Sequence, residues 1–283
     1  MNVISTITDL RREITAARRA GKRIGFVPTM GNLHAGHMKL VEVARQHADF
    51  VIVSIYVNPM QFGPTEDFSA YPRTPDDDKR ALTSAGADAV FMPTTAEIYP
   101  RGMEVQTVVE VPQLGNILCG AFRPGHFRGV TTVVNRLFNL VQPDVAVFGK
   151  KDYQQLMLIR LMATDLGMPV EIIGVDTMRE DDGLARSSRN RYLRPEERAK
   201  APRLYAVLCD LRDEVLRASG IPWEAEATAA DRLLRMGLRP EYVSIVRQQD
   251  LGPPSSQDKK LAILAAAWLG RTRLIDSIEV TIP

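Results

Sequence analysis

Residues 26–37 read FVPTMGNLHAGH, and this stretch predicts the fold of the first half of the chain. It begins in a short apolar run, 24–27, that is typical of a buried strand. Pro28 is expected to end that strand, because proline has no N–H for the ladder. Apolar residues then recur at helical spacing from Gly36 to Ala48, so a helix should follow at once.

Two histidines, His34 and His37, lie at this junction. Spaced by three, they share one face if the first turn is helical, with Cβ atoms about 5–6 Å apart. A helix N-terminus offers unbonded N–H groups and partial positive charge, which suits a phosphate, and two imidazoles can donate to the same anion. Spacing alone does not exclude that this strand–turn–helix unit has no chemical role. It also does not exclude that the two histidines bind a metal ion. The metal hypothesis is the weaker one, because only His47 and His126 remain as further histidine ligands.

The composition is that of an ordinary globular protein, with 283 residues of which 45% are hydrophobic and 25% are charged. A net charge of +2 is too small to indicate a nucleic-acid partner. Cys119 and Cys209 make no disulfide framework, which favours the cytoplasm. No signal peptide is recognised, and the apolar run 261–269 is too short to span a bilayer, so no membrane partner is expected.

Further apolar runs predict strands at 50–56, 89–92, 145–148 and 172–175, with helices between them. One of these helices is expected at 9–20 with Thr8 as its cap, and the run 105–111 predicts an edge strand or hairpin arm. This alternation predicts an α/β fold with a parallel sheet for residues 1–175. The segment 178–191 is charged and hydroxyl-rich, and is either a mobile loop closing over phosphates or a linker.

Residues 176–283 are expected to form a smaller α+β domain. Helices are predicted there at 195–217 and 222–236, and strands at 242–246 and 261–269.

Polar segments follow several predicted strands, and open α/β sheets bind ligands at the carboxyl ends of their strands. Asn58 and Gln61 follow the strand 50–56, where they either orient a small substrate or serve turn chemistry. Lys151, after the strand 145–148, can act as a phosphate charge, the alternative being a solvated helix start. Arg123 and Arg128 either line an anionic site or are solvated.

The three consecutive aspartates 76–78 follow Thr74 and Pro75, as expected at the start of a helix. Capping explains them better than a magnesium site, which their spacing does not support. The chain contains neither a Walker A sequence nor G-x-G-x-x-G, so neither of these fingerprints accounts for a nucleotide.

Four motifs occur together and in order: PTMGNLH at 28–34, VNPMQF at 57–62, RPGHFRG at 123–129 and KDYQQ at 151–155. With them and Ser187–Arg189, nearly the whole chain resembles the pantoate–β-alanine ligase family of HxGH nucleotidyltransferases. The resemblance implies a Rossmann-like domain with helices on both faces of its sheet, a C-terminal lid domain and a homodimer. It implies that ATP adenylates pantoate at its carboxylate, with Mg2+ held mainly through the ATP phosphates, and it assigns no residue as a metal ligand. The amine of β-alanine then displaces AMP to give pantothenate.

The resemblance also assigns roles to individual residues. The catalytic residues implied are His37, as the acid, His34 and Lys151. Pantoate is held by Gln61 and Gln155, with Asn58 beside them. The ATP-binding residues implied are Met30, Gly31, Asn32, Leu33, His34, Ala35, Gly36, His37, Gly149, Lys150, Lys151, Asp152, Met178, Arg186, Ser187, Ser188 and Arg189.

Three positions depart from the family pattern. Ala35 stands where a relative carries aspartate, Lys150 replaces a common glutamate, and Arg186 replaces an apolar residue. All three make the surroundings of the phosphates more positive.

Two other functions compete with the ligase. One is a plain nucleotidyltransferase that forms a dinucleotide and no amide, against which Gln61 and Gln155 argue because they suit a small hydroxy acid. The other is a non-catalytic nucleotide-binding module, which would not consume ATP.

Overall fold

The structure is a computed structural model that describes residues 1–218, 220–222 and 224–283. The contacts of the chain divide it into two compact units. The first unit comprises Met1–Gly149 and Leu158–Val175, and the second comprises Lys150–Met157 and Asp176–Pro283. The second unit therefore includes one segment, Lys150–Met157, that lies ahead of the predicted boundary after residue 175.

The first unit contains a six-stranded sheet in which all strand pairs are parallel. Its strands are β1 (Asn2–Ile4), β2 (Ile24–Thr29), β3 (Phe50–Ile55), β4 (Ala89–Phe91), β5 (Val145–Gly149) and β6 (Glu171–Val175). Their order across the sheet is β1-β4-β3-β2-β5-β6. The α/β fold class is confirmed, and the strands predicted after β2 differ from the observed ones by one residue at an end.

The strand order reverses at β2, which places the site at that point of the sheet. β3 and β4 lie on one side of β2, and β5 and β6 lie on the other. At such a switch point the connections leave in opposite directions, which opens a crevice outside the carboxyl ends of the strands. The stretch that follows β2 therefore starts in the crevice where doubly wound sheets bind ligands.

Seven helices accompany this sheet along the described part of the chain. They are α1 (Ile7–Arg19), α2 (Ala35–His47), α3 (Pro75–Ser84), α4 (Thr95–Ile98), α5 (Cys119–Phe122), α6 (His126–Val141) and α7 (Tyr153–Asp165). The division between the units falls within α7, after Met157. α1 starts earlier than predicted, because Thr6 and not Thr8 caps it: the Thr6 side chain accepts a hydrogen bond from Asp9 N.

The centre of the sheet is apolar on both faces. Phe26, Ile52, Val53, Val90 and Val147 are all completely buried. A strand covered on both faces has no solvated side, which is why 50–56 reads as an unbroken apolar run and not as an alternating one. Burial of these side chains stabilises the frame on which the loops at the carboxyl ends are mounted.

Pro28 does not end β2, which continues to Thr29 in register with β3. Thr29 O accepts from Tyr56 N, so position 29 faces β3 and position 28 faces the opposite side. On that side β2 pairs with β5 only at Gly25 and Phe26. The missing N–H of Pro28 therefore interrupts no ladder bond, and the prediction that it ends the strand is wrong.

The predicted edge strand at 105–111 is also wrong, since this segment has no regular secondary structure. Its backbone is held by side chains of α6 in place of a neighbouring strand. Val109 N donates to Thr132 Oγ1 at 3.0 Å, and Thr131 Oγ1 donates to Val109 O at 2.5 Å. An alternating apolar pattern indicates that a segment is extended and half-buried. It does not show whether its backbone bonds to a neighbouring strand or to the side chains of a helix.

The second unit pairs helices with an antiparallel sheet of order β7-β8-β9. The elements are α8 (Pro195–Lys200), α9 (Arg203–Arg217), α10 (Ala225–Arg235), β7 (Arg239–Arg247), β8 (Lys260–Leu269) and β9 (Thr272–Thr281). The predicted helix 195–217 is two helices, with Pro202 at the start of the second. The sequence does not predict β9, because Asp276 and Ser277 are buried and interrupt its apolar pattern. Ser219 and Trp223 lie outside the described residues, and Trp223 is the second residue of the predicted helix 222–236.

None of the helices in the described part of the chain has both the length and the apolar content that a membrane crossing requires.

One close approach fixes the loop that follows β3. In α6, Gly129 packs against the 3-10 turn Pro59–Gln61. A Cβ added at Gly129 would collide with the carbonyl of Met60 and lie 2.7 Å from Gln61 N. Only glycine fits here, and this contact sets where the turn lies.

We predict that Gly129→Ala destabilises the protein by about 1–3 kcal/mol, because the methyl group must displace backbone atoms of a packed turn. Thermal unfolding measures the effect. Gly63→Ala is the control, since a Cβ there meets its nearest atom, Glu66 Cγ, at an ordinary 3.7 Å. Equal melting temperatures for the two variants would contradict the packing argument.

Candidate active site

The turn that joins β2 to α2 uses its backbone N–H groups inside the protein. Gly31 N donates to Thr29 Oγ1 at 3.2 Å. Asn32 N and Leu33 N donate to the two oxygens of the Asp78 carboxylate at 2.9 and 2.8 Å. The sequence predicts unbonded N–H groups near this helix start, but α3 brings a carboxylate to two of them. A nucleotide would therefore meet other atoms of Asn32 and Leu33.

The two histidines meet at the start of α2. His34 is the N-cap residue, and its Nδ1 accepts from Gly36 N at 3.1 Å. His37 Nδ1 accepts from His34 N at 3.2 Å, and the ring centroids are 4.1 Å apart. An imidazole nitrogen that accepts a hydrogen bond carries no proton, so each ring holds its proton on Nε2. The pair is therefore a single site with two Nε2–H donors.

Asn58 is 1% exposed and is surrounded by hydrogen-bond partners. Its Oδ1 accepts from Met60 N at 3.3 Å and from Tyr99 Oη at 2.9 Å. Its Nδ2 donates to Gln61 Oε1 at 3.2 Å and to Gly129 O at 3.1 Å. An asparagine side chain offers two donors and two acceptor sites, so this one is saturated within the protein. Of the two roles left open by the sequence, the geometry favours turn chemistry.

These contacts orient the amide of Gln61. Because Oε1 accepts from Asn58, the NH2 group points elsewhere, and Nε2 lies 3.2 Å from Met30 Sδ. Met30 directly precedes the turn that leads to His34. Within the first unit, the structure thus brings Gln61 together with the strip 30–37, two groups that the sequence separates by more than twenty residues.

The backbone of Gln61 is hydrogen-bonded as well as its side chain. His126 Nδ1 and Gln61 O are 2.8 Å apart, and Arg123 Nη1 and His126 Nε2 are 2.9 Å apart. Since arginine can only donate, His126 Nε2 accepts, and its proton on Nδ1 is donated to Gln61 O. His126 is therefore a structural support for the turn, a role that its sequence position does not reveal.

Arg123 itself is committed to Glu66. Its Nε and Nη2 atoms donate to the two carboxylate oxygens at 2.7 and 2.5 Å, and both side chains are mostly buried. Burial alone would raise the pKa of Glu66, but the hydrogen bonds and charge of Arg123 outweigh it and hold this pKa below its usual value. Of the two predicted anion-binding arginines, Arg123 is thus neutralised internally and Arg128 is exposed.

Tyr99 supports Asn58 and is not singled out by the sequence. Its hydroxyl is buried, and burial, with the nearby phenol of Tyr56 adding to it, raises the pKa of Tyr99 well above its ordinary value. The phenol therefore keeps its proton and donates to Asn58 Oδ1. No local pattern could identify this residue, because its partner lies 41 residues away in the chain.

The second unit holds the other predicted phosphate and substrate residues. Lys150–Asp152 form a 3-10 turn ahead of α7, and Gln155 lies half-buried in the first turn of that helix. Lys151 Nζ lies 3.7 Å from Asp152 Oδ2, too far for a hydrogen bond. At Gly149, which ends β5 in the first unit, an added Cβ would meet no described atom within 4 Å, so packing does not require glycine there.

Lys150 is occupied by carboxylates of its own unit. Its Nζ lies 2.8 Å from Asp176 Oδ1 and 2.7 Å from Glu279 Oε2. Burial alone would lower the pKa of Lys150, but these two hydrogen-bonded partners outweigh it and raise this pKa. The extra positive charge at this departure from the family pattern is therefore compensated locally.

The segment 178–191 is tied down at its start. Arg179 and Ala185 form an isolated antiparallel bridge, and the guanidinium of Arg179 makes two hydrogen bonds to the buried Asp276 at 2.7 and 2.9 Å. It also stacks 3.4 Å from the ring centroid of Tyr205, against which Gly183 packs. In this structure the segment is a tight turn with a buried ionic anchor.

The predicted phosphate-gripping residues follow this turn. Ser187 caps the 3-10 helix Ser188–Tyr192, and its Oγ accepts from Arg189 N at 3.3 Å. Met178 is exposed, which leaves its side chain accessible. Arg186, another departure from the family pattern, pairs with Glu180 at 2.9 Å, so its charge too is balanced locally.

Among the described residues, no three His, Cys, Asp or Glu side chains lie close enough together to hold a metal ion. Asp76 pairs with Lys79, and Asp77 pairs with Arg80. Asp78 is directed inward, where it accepts from the turn after β2. The three aspartates therefore do not converge on one point.

Comparison with known proteins matches residues 2–279 to the model of the pantoate-beta-alanine ligase family. A curated pantothenate synthetase of Chromohalobacter salexigens is 53% identical over 283 residues, which is 100% of both chains. The crystal structure of pantothenate synthetase from Thermus thermophilus is 47% identical, covers 100% of both chains and has a TM-score of 0.92. A Francisella tularensis pantoate-beta-alanine ligase, solved with beta-gamma ATP and beta-alanine, is 32% identical over 98% of this chain and 97% of its own, with a TM-score of 0.81.

Proposed function

The chain belongs to the pantoate–β-alanine ligase family, and on that premise we propose how its residues condense pantoate with β-alanine, using ATP, to give pantothenate, AMP and diphosphate. The observation that carries the proposal is the contact between Gln61 and Met30. It puts a side chain suited to a small hydroxy acid beside the strip that ends in His34 and His37.

The first step activates a carboxylate, which is otherwise a poor electrophile. A pantoate carboxylate oxygen bonds to the α-phosphorus of ATP, and the bond from that phosphorus to the bridging oxygen of the β-phosphate breaks. Diphosphate leaves with the bonding electrons, and pantoyl-adenylate remains. Charge builds up on the phosphate oxygens, so positioned donors and cations supply most of the catalysis.

His34 and His37 meet this requirement through their Nε2–H groups. Each Nδ1 is occupied by a backbone N–H, which fixes the tautomer and aims the remaining N–H of the ring. The positive end of the α2 dipole adds to the same field. In this assignment His37 donates to the phosphates of the transition state, and His34 both caps the helix and donates.

Gln61 and Gln155 are proposed to hold pantoate. Gln61 offers an NH2 group, because its Oε1 is already bonded to Asn58, and the oxygens of a hydroxy acid are suitable acceptors. Asn58, which the resemblance implies as a pantoate neighbour, has no hydrogen-bonding capacity left in the described structure. We therefore assign it to holding Gln61 in place.

The remaining ATP contacts follow the family assignment. Lys151 places a cation at the phosphates, Gly149 and Asp152 meet the ribose, and Met178 lies at the adenine. Ser187, Ser188 and Arg189 grip the phosphates. By the same assignment, Mg2+ would be bound mainly through the ATP phosphates and would supply charge neutralisation there.

In the second step the amine of β-alanine attacks the acyl carbon of the adenylate. A C–N bond forms, the C–O bond to phosphate breaks, AMP leaves and the amine loses a proton. Water must be kept from the adenylate, which fits a closing role for residues 176–283. We also propose that the chain acts as a homodimer in the cytoplasm, the compartment being supported by its two cysteines, which form no disulfide with each other.

The first prediction separates the ligase from a plain nucleotidyltransferase. With pantoate, ATP and Mg2+ but no β-alanine, labelled diphosphate should enter ATP, because adenylation is reversible. Lys151→Met should slow this exchange strongly, since it removes a charge at the phosphates, whereas Lys260→Met, at the exposed first residue of β8, should not. Exchange that needs β-alanine would rule out the adenylate, and exchange indifferent to pantoate would point to the nucleotidyltransferase.

A second prediction concerns His37. His37→Ala should fold normally and lose about 10²–10³ in exchange rate, the usual cost of removing one transition-state donor. His47→Ala is the matched control, because this histidine is exposed at the far end of the same helix. A folded His37→Ala enzyme that turns over like the control would remove His37 from the mechanism.

A third prediction concerns Gln61 and Gln155. Changing either to Ala should weaken the use of pantoate far more than the binding of ATP, by about 1–3 kcal/mol for an unsatisfied polar group on the ligand. Gln113→Ala, at an exposed position of the first unit, serves as the control. Pantoate titrations that match the control in both variants would contradict the assignment.

A further inference from the structure

A buried carboxylate contacts the turn that leads to the two histidines. Asp78 is 2% exposed, and no substrate contact is assigned to it. It accepts three hydrogen bonds, from Asn32 N at 2.9 Å, Leu33 N at 2.8 Å and Thr74 Oγ1 at 3.0 Å. The two backbone donors belong to a turn more than forty residues earlier in the chain. Asp78 therefore ties the start of α3 to the turn between β2 and α2.

Charge at a helix start does not explain this burial. Asp76 and Asp77 occupy the same first turn, are exposed, and pair with Lys79 and Arg80. Asp78 instead faces inward, on the same side of the helix as Thr74 four residues before it. The helix could keep its favourable first-turn charge without Asp78.

The turn that Asp78 holds has an unusual backbone. Gly31 and Asn32 both have positive φ, at +80° and +49°. A turn that aims successive N–H groups at one point creates a small anion-binding concavity. The anion in it is the Asp78 carboxylate, and not a ligand. A Cβ at Gly31 would lie 3.0 Å from Asp78 Oδ2 and 2.9 Å from Ile55 Cγ2, so the carboxylate also requires glycine there.

The geometry of the histidines depends on this turn. Leu33, whose N–H is held by Asp78, is bonded directly to His34. His34 N in turn donates to His37 Nδ1, the bond that leaves the proton of His37 on Nε2. A shift of Leu33 therefore moves the atom that sets the tautomer of the second ring.

We propose that Asp78 is a positioning residue for adenylation, which holds the 31–33 turn so that His34 and His37 present Nε2–H to the phosphates. The inference rests on the proposed function of the two histidines. Asp78 touches neither ATP nor pantoate, and acts through the backbone alone.

The test compares Asp78→Asn with Asp77→Asn, its exposed neighbour on the same helix. An asparagine at 78 keeps the shape of the side chain but turns one acceptor into a donor, which leaves one buried N–H of the turn opposed. We expect diphosphate exchange to fall at least about tenfold, since misplacing catalytic groups by about 1 Å costs about 10²-fold. The KM for pantoate should stay within about threefold, because Gln61 is held by other residues. Exchange equal to that of Asp77→Asn in a folded variant would overturn the proposal, as would a loss confined to KM.

A second readout does not depend on activity. The chain has four histidines, so nitrogen NMR of the imidazoles resolves each tautomer. In the unmodified protein His34 and His37 should be protonated on Nε2 and His126 on Nδ1, with His47→Ala identifying the remaining signal. Asp78→Asn should alter the signals of His34 and His37 and leave His126 unchanged. Unaltered signals for both rings would overturn the proposal.

This design distinguishes a failure of the proposed function from a failure of the inference about Asp78. If the unmodified enzyme shows no pantoate-dependent exchange, the proposed function fails while the NMR comparison still tests Asp78. If Asp78→Asn does not fold, Thr74→Val decides, because it removes the hydroxyl that positions Asp78 Oδ1, the oxygen that accepts from Leu33 N. Slower exchange with shifted His34 and His37 signals in Thr74→Val would support the proposal, and an unchanged rate with unchanged signals would overturn it.

Discussion

The region around the histidine pair depends on giving a hydrogen-bond partner to each backbone N–H of the turn where β2 leads into α2. Leaving one such group unbonded costs about 1–3 kcal/mol, so each acceptor stabilises the turn. Thr29, His34 and His37 each supply one acceptor, and Asp78 supplies two. The two imidazoles thereby have a structural role at Nδ1, which leaves the proton of each ring on Nε2, the atom to which the proposed function assigns the chemistry.

The same division between support and chemistry recurs at the neighbouring loop. Asn58 and His126 are polar residues next to the site, and each is fully engaged with the protein around Gln61. Gln61 is left with an oriented NH2 group. Hydrogen-bond capacity, and not residue type or proximity, separates a residue that can bind substrate from one that holds a binder in place.

Charge follows a related rule in the second unit. Lys150 is balanced by Asp176 and Glu279, and Arg186 is balanced by Glu180. These pairs compensate the cations that distinguish this chain from its family pattern. The positive character suggested by counting charges along the sequence is therefore reduced where the structure supplies nearby carboxylates. Lys151 differs from Lys150 in that its Nζ lies 3.7 Å from Asp152 Oδ2, beyond hydrogen-bond distance.

The sequence by itself determined the parallel sheet, because strands buried on both faces must be apolar throughout, and it determined the family, because four motifs keep their order. It also located the histidine pair, whose spacing is a local property of one helical turn. Only the tertiary structure decided that β2 continues through Pro28, and that Asp78 accepts hydrogen bonds from a distant turn. Only the tertiary structure, too, showed that His126 bonds to Gln61 O and that Tyr99 supports Asn58, the neighbour of Gln61. In each of these cases the deciding partner is distant in the chain. Local periodicity indicates which face of an element is buried, but it does not identify the distant atom that forms a hydrogen bond with that face.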